Sequence, residues 1–401
     1  MRGARFAVGN PPPGRRTRGP RVVSVHLLRF EVLVPAFSFW RVNESLPSIT
    51  VVIAARPGQP DLKAVAAARL LDYPREKLEI MVARGKQPSV QRNAAMKATR
   101  GDWIYFLDDD SMPAADNLRR ALPLLSRPEV KMVGGPNLCP PDAPALEQVF
   151  ALVLAARLAF GPSAARYSPV GAVHATGEKE LILCNLMARR DTMLELGGFN
   201  ESLYPNEENA LMDDIQKRGG KLMYDPEFLV YRRPRASLKS FARMLMTYGR
   251  GRAEQFRLNP TMGSALNFVP PLFCVYLVAL PFSLAIKGMA RFGLVPLAIY
   301  ALAVFAQAAA LVERRKSSGG KHQAAAGVRD AQTPGPTSEA QSAGAGMGVR
   351  VLRSAAAIPL VVLTHVLYGL GFWRGLFTTL APAGNRPSVE VVLENVSLDG
   401  K

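Results

Sequence analysis

The chain of 401 residues is long enough for one large or two ordinary domains, and its three cysteines (Cys139, Cys184, Cys274) exclude a disulfide framework and share no metal-ligand spacing. They read as small buried apolar residues of a protein in a reducing compartment. Lys and Arg total 50 against 32 acidic residues, and the formal charge of +18 calls for an anionic partner: nucleic acid, an anionic membrane face or a phosphorylated substrate.

Residues 1–21 are rich in Pro, Gly and Arg and lack apolar periodicity, so they read as a disordered basic arm. The apolar stretch 22–40 contains His26, Arg29, Glu31 and Pro35, which a membrane span or signal-peptide core excludes. Residues 1–46 are therefore expected to be an arm and a surface-lying segment. From Pro47 the pattern turns α/β. "SITVVIAA" (48–55) is a β-branched run typical of a strand covered on both faces, and "DLKAVAAARLLDYP" (61–74) is helical until its Pro. "KLEIMVA" (77–83) is a second strand, "SVQRNAAMKATRG" (89–101) a helix with Ser89 as N-cap and Gly101 as stop, and "WIYFL" (103–107) a third strand. Strands alternating with helices imply a parallel sheet, whose ligands sit beyond the carboxyl ends of the strands. This α/β domain is expected over 47–230.

Residues 231–260 place Leu238, Phe241, Leu245 and Tyr248 at helical spacing with Lys239, Arg243 and Arg250 between them, an amphipathic helix at a membrane interface. Within 261–313, the uncharged runs 264–286 and 292–312 are each long enough to cross ~30 Å of hydrocarbon. A low-complexity linker (314–352), a third apolar run (353–376, with His365 inside it) and a tail (377–401) follow. Arg250, Arg252 and Arg257 precede the first span and Arg314, Arg315 and Lys316 follow the second, while only Lys287 and Arg291 stand between them. The positive-inside rule then puts the α/β domain and the linker in the cytoplasm, at the inner membrane. The last span would carry 385–401 outside, unless "HVLYGLGFW" (365–373) is re-entrant.

"GDWIYFLDDDSMP" (101–113) runs a strand into Asp108, Asp109 and Asp110. Adjacent carboxylates repel one another, so a chain that only had to fold gains nothing from three of them at a strand mouth beyond capping the next helix. A hard divalent cation, Mg²⁺ or Mn²⁺, takes one or two such carboxylates together with substrate phosphates, and it neutralises a diphosphate leaving group.

At these residues the sequence resembles family 2 glycosyltransferases of GT-A fold. The likeness runs from "SITVVIAA" through "RNAAMKATRGDWIYFLDDDSMP" (92–113) to 184–231, where Arg189-Arg190 and Gly197-Gly198-Phe199 lead to the acids Glu207-Glu208. It continues into "YRRPR" and "YGRGR" before the apolar helices, a layout similar to bacterial membrane-bound enzymes of the exopolysaccharide, succinoglycan-synthesis type. The resemblance implies a nucleotide-binding, mostly parallel α/β sheet with flanking helices, followed by transmembrane helices. It implies Asp110 as metal ligand, with Asp108 nearer the ribose or phosphate, and Ala54, Arg84, Arg92, Asp108 and Asp109 around the donor. Glu208 takes the place of the usual base, with Glu207 beside it; a base need only be ionised and within hydrogen-bond reach of the acceptor hydroxyl. Arg250, Arg252 and His174 are placed near the diphosphate or acceptor. Two departures stand out: no acid follows the second strand, where Arg84, Lys86, Gln91 and Arg92 stand instead, and Asp61 is the nearest acid after the first.

The implied activity is inverting, metal-dependent sugar transfer from a nucleotide-sugar donor to a lipid-linked or growing glycan acceptor, in cell-surface polysaccharide synthesis. The alternative is an inactive membrane scaffold retaining the fold. A nucleic-acid partner finds no stacking or groove-reading module in the sequence.

Overall fold

The computed structural model describes residues 46–201, 203, 206–258, 260, 262–318, 338–379 and 390–398. The expected basic arm and surface segment, apart from Leu46, and the central part of the linker lie outside the described residues.

β1 (Ile49–Ala55) is buried on both faces, as its β-branched run requires. α1 (Lys63–Ala68) is shorter than the expected helix, and β2 (Leu78–Arg84) is placed one residue later than the predicted strand. α2 (Pro88–Ala98) begins with Pro rather than with Ser89 as its cap, because the first helical position needs no N–H donor; it stops before Gly101. β3 (Trp103–Asp108) carries the strand into the first aspartate. These three strands are parallel in the order β2-β1-β3, with Ala54 opposite both Ala83 and Asp108.

The chain continues through β4 (Met112–Pro113), α3 (Asn117–Leu125), β5 (Val130–Gly134), β6 (Asn137–Leu138), α4 (Ala145–Leu154) and α5 (Arg157–Phe160). β7 (His174–Thr176), β8 (Asn185–Arg189), α6 (Arg190–Glu195), α7 (Glu207–Lys217), β9 (Lys221–Tyr224) and β10 (Val230–Tyr231) complete the α/β part. Then come α8 (Leu238–Leu258), α9 (Val269–Ala285), α10 (Ala290–Ser318), α11 (Ser338–Phe377) and β11 (Val392–Val396).

The main sheet has the order β11-β2-β1-β3-β8-β5-β9-β7. β1, β2, β3, β5 and β9 point one way, and β8, β7 and β11 the other, so the sheet is mostly parallel but mixed. One face packs Val51, Tyr105 and Met187 against α1 and α3; the other packs Val52, Phe106 and Met132 under α2 and α7. A small second sheet, β4-β10-β6, is formed by the segments that follow the β3 aspartates and precede the basic helix.

A third core cluster joins α4, α8, α10 and α11 through Phe150, Phe241, Leu245 and Val361, with Phe150 and Phe241 stacked at 4.2 Å. The apolar stripe of α8, read from the sequence as membrane-facing, is thus partly covered by protein. Among the described residues, three helical segments are long and apolar enough to cross a membrane, Ser264–Ala285, Ala290–Val312 and Gly346–Phe377, or four if the bent pair Ala145–Leu154 and Arg157–Arg166 is one span. The third is 39% buried within the protein, the other two 11%.

The expectation that a third span carries the tail outside is corrected by β11. It pairs antiparallel with β2, Val392 opposite Arg84 and Val396 opposite Ile80. A strand cannot lie across a bilayer from the sheet it belongs to, so any membrane crossings between β10 and β11 are even in number.

Candidate active site

The first cluster, at what the sequence resemblance makes the donor end, forms where the parallel strands stop. Asp108 accepts from Arg92 Nη2 (2.8 Å) and from Arg232 Nη1 (3.0 Å), Asp109 from Gln59 Nε2 (2.7 Å), and Asp110 from Arg232 Nε (2.5 Å). Burial pushes the Asp108 pKa up, but the guanidiniums of Arg232 and Arg92 outweigh it and hold the carboxyl below its ordinary value. Arg92, itself buried in α2, also reaches Glu207 Oε1 at 3.5 Å and so links the two acidic motifs. Arg84 donates from Nη1 to the Gln59 carbonyl (2.8 Å) and from Nε to Glu394 of β11 (2.8 Å). The carbonyl of Ala55, at the end of β1, accepts from Gly85 N–H and Gln91 Nε2, which ties the β1 and β2 ends together beside Ala54.

The identity of the donors fits Mg²⁺ or Mn²⁺: hard carboxylate oxygens at a strand end, with the side chains of Asp108 and Asp110 24% and 42% exposed. Among the described residues no three acidic, His or Cys side chains already converge on one point, and a guanidinium bridges the two aspartates. Asp108 and Asp110 would hold the ion, two carboxylates being enough where phosphates complete the shell.

The second cluster, at what the sequence resemblance makes the acceptor end, is set by the chain that enters α7. Gly197 and Gly198 have φ of +78° and +82°, and a Cβ on Gly198 would collide with Asn93 Oδ1, so glycine is required there. Asn93 then clamps Phe199, accepting from its N–H and donating to its carbonyl, both at 2.8 Å. Asn206 caps α7 in the left-handed region (φ 89°), which Asn tolerates. Glu207 is 3% exposed; burial above all, and then the neighbouring Glu208, pushes its pKa up to about 7 against the pull of Arg92. Glu208 instead lines a cavity of about 290 Å³. Arg157, Tyr167, Tyr248 and Arg252 supply polar and aromatic wall, while Leu266 and Val269 at the start of the long apolar helices and Tyr368 of α11 close it. Arg252 is held by Glu178 Oε2 at 2.9 Å.

Of the residues read from the sequence, Ala54, Arg84, Arg92 and Asp108–Asp110 gather at the donor end, and Glu208 and Arg252 share the cavity. Arg250 is outside that lining and pairs with Glu254 (3.4 Å). His174 is held by Glu180 (2.8 Å) on edge strand β7, in a separate surface groove. Asp61 has φ 42° and also lies outside the cavity, beside Arg84 and Glu394 in a groove on the α1 face. Sequence reasoning missed Arg232, which the quoted "YRRPR" contained. It missed Asn206, whose Nδ2 is buried on the cavity wall without a partner among the described residues. It also missed Glu394, inside the β-branched run "VEVVLENV" of the tail.

Residues 62–145, which include the three aspartates, match the family model "Glycosyl transferase family 2". The succinoglycan biosynthesis protein ExoM of Rhizobium meliloti (strain 1021) is 26% identical over 257 residues, covering 60% of this chain and 77% of that protein. Among solved structures, the mannosyltransferase PcManGT of Pyrobaculum calidifontis, in complex with GDP-Man and Mn²⁺, is similar with a TM-score of 0.45 and 15% identity over 82% of this chain and 87% of that one. S. aureus TarS has a TM-score of 0.37 and 11% identity over 57% of this chain and 43% of that one. The family 2 glycosyltransferase model thus matches the very stretch that carries the three aspartates, and the likeness to the curated relative extends well beyond it.

Proposed function

We propose that this glycosyltransferase moves a sugar from a nucleotide-sugar, held at the ends of β1, β2 and β3, to a hydroxyl of a lipid-linked acceptor at the cytoplasmic membrane face, in polysaccharide synthesis. The observation that carries this reading is that Glu208 shares one cavity with the start of the membrane helices and with α11. A carboxylate and a lipid-accessible apolar wall in one space suit an acceptor that stays in the bilayer while its sugar hydroxyl enters.

In this reading Glu208 takes the hydroxyl proton as the oxygen attacks the anomeric carbon, and a single displacement inverts the donor linkage. Asn206 offers its amide to a neighbouring acceptor hydroxyl. Arg92 fixes the distance between the donor and acceptor ends by binding Asp108 and Glu207 together. Mg²⁺ or Mn²⁺, when bound at Asp108 and Asp110, supplies charge neutralisation on the departing diphosphate. α9 and α10 cross the membrane out and back, with α11 remaining on the near side; the pairing of β11 with β2 and the greater burial of α11 support this arrangement.

The test is a screen of the purified full chain with UDP-, GDP- and dTDP-sugars, Mn²⁺ or Mg²⁺, and detergent-dispersed glycolipid acceptors, reading nucleoside diphosphate release. Release that depends on acceptor lipid is expected. Nucleotide binding without turnover under every condition would favour the scaffold reading.

A further inference from the structure

Arg232 follows β10 directly, and its main chain is fixed: its N–H donates to the Leu138 carbonyl at 2.9 Å. From that anchor the side chain spans the mouth of β3, donating to Asp108 Oδ2 and Asp110 Oδ1. Those are the two carboxylates a divalent ion would use. A guanidinium and a dication cannot share them, because at such separations like charges repel by several kcal/mol even at an effective dielectric of about 20. Charge balance points the same way. The two carboxylates a dication would use, Asp108 and Asp110, are already matched by the two guanidiniums of Arg92 and Arg232, so their charge becomes available to a dication only when one guanidinium leaves.

Arg92 is the wrong one to leave. Its side chain is 6% exposed and bridges Asp108 to Glu207, whereas the Arg232 side chain is 25% exposed. An arginine head released there faces the space where a diphosphate would sit, and a planar guanidinium pairs with phosphate as readily as with carboxylate.

We propose that Arg232 is an exchangeable counter-cation of the donor site. It holds the place between Asp108 and Asp110 in the empty enzyme, and it moves from the aspartates to the diphosphate when a divalent cation and nucleotide bind. This rests on the transferase reading for its second half only; the competition with metal concerns the chain's own residues.

The experiment measures Mn²⁺ uptake by the detergent-solubilised full chain from the paramagnetic resonance of free Mn²⁺, first alone and then with UDP or GDP. Arg232→Gln is expected to bind Mn²⁺ alone at least tenfold more tightly than the wild type, with Arg232→Lys in between. With Mn²⁺ present, the Gln variant should bind whichever nucleotide the wild type accepts at least fivefold more weakly. Thermal unfolding of each variant in the absence of metal reports that the fold is retained. Equal or weaker Mn²⁺ affinity in a folded Arg232→Gln would overturn the proposal. So would wild-type nucleotide binding that is indifferent to Mn²⁺, since Arg232 would then be a permanent cation. Tighter Mn²⁺ binding by the variant, with no nucleotide bound by any form, would uphold the competition and count against the transferase reading instead.

Discussion

At the donor end, Ala54, Arg84, Arg92 and Asp108–Asp110 come from one short stretch of chain, β1 to the end of β3 with α2 between, and each aspartate has a hydrogen-bonding or charged partner. At the acceptor end, Glu208 shares its cavity with residues drawn from α5, the α7 entry, α8, the approach to α9, and α11, hundreds of residues apart at the extremes. Glu207 and Glu208 mark the border. One is buried and tied to Arg92, the other turned into the cavity. The difference teaches that one chain can fix the carboxylates of a strand end with guanidiniums while leaving another carboxylate to face open space.

The largest effect is expected where that border is crossed. Glu208→Gln should reduce transfer by about 10²–10⁴-fold while leaving nucleotide affinity within about twofold, because a positioned base contributes on that order. Glu207→Gln should cost less turnover and more nucleotide affinity, through Arg92. Turnover and calorimetric nucleotide binding, measured side by side, check both; a dead Glu207→Gln with an active Glu208→Gln would reverse the assignment.

A second substitution acts on the acceptor end alone. α8 and α11 pack through glycines: a Cβ on Gly249 would run into the Tyr368 carbonyl, and one on Gly371 into that of Met246. Gly249→Leu should therefore push α11 away from the cavity, since overpacking of this kind costs on the order of 1–3 kcal/mol. Acceptor saturation curves should show KM raised by about tenfold with donor KM unchanged. A matching rise in donor KM would mean the two ends are not separable.

The smallest effect belongs to the tail. Glu394→Gln removes the charged partner of Arg84, whose other contact steadies the Gln59 loop. The Glu394 side chain is 42% exposed, and pairs of that kind contribute about 0–1 kcal/mol, so nucleotide Kd should rise about threefold with saturated turnover unchanged. Loss of turnover instead would place β11 closer to the chemistry than its pairing suggests.

The same contrast explains what was legible in the sequence. β1, β2 and β3 announce themselves by β-branched runs, and the aspartates by their position at a strand end. The apolar helices follow from length alone. Arg232 was hidden because its reach to Asp108 and Asp110 depends on the two-residue strands β4, β6 and β10, too short to leave a periodic signal. Arg250 and Arg252, two residues apart on α8, point to different partners, a distinction made by the packing of α8 rather than by composition. β11 did carry a signal, since "VEVVLENV" is as β-branched as any core strand, but its place after a long apolar helix argued for a tail.

That strand also constrains how the protein is made. During synthesis α8 to α11 all leave the ribosome before β11 does, so the edge of β2 stays open while those helices are being made. An open strand edge invites pairing with other chains. The main sheet therefore reaches its final width only after the long apolar helices have been made, which ties completion of the α/β part to the segment that precedes β11.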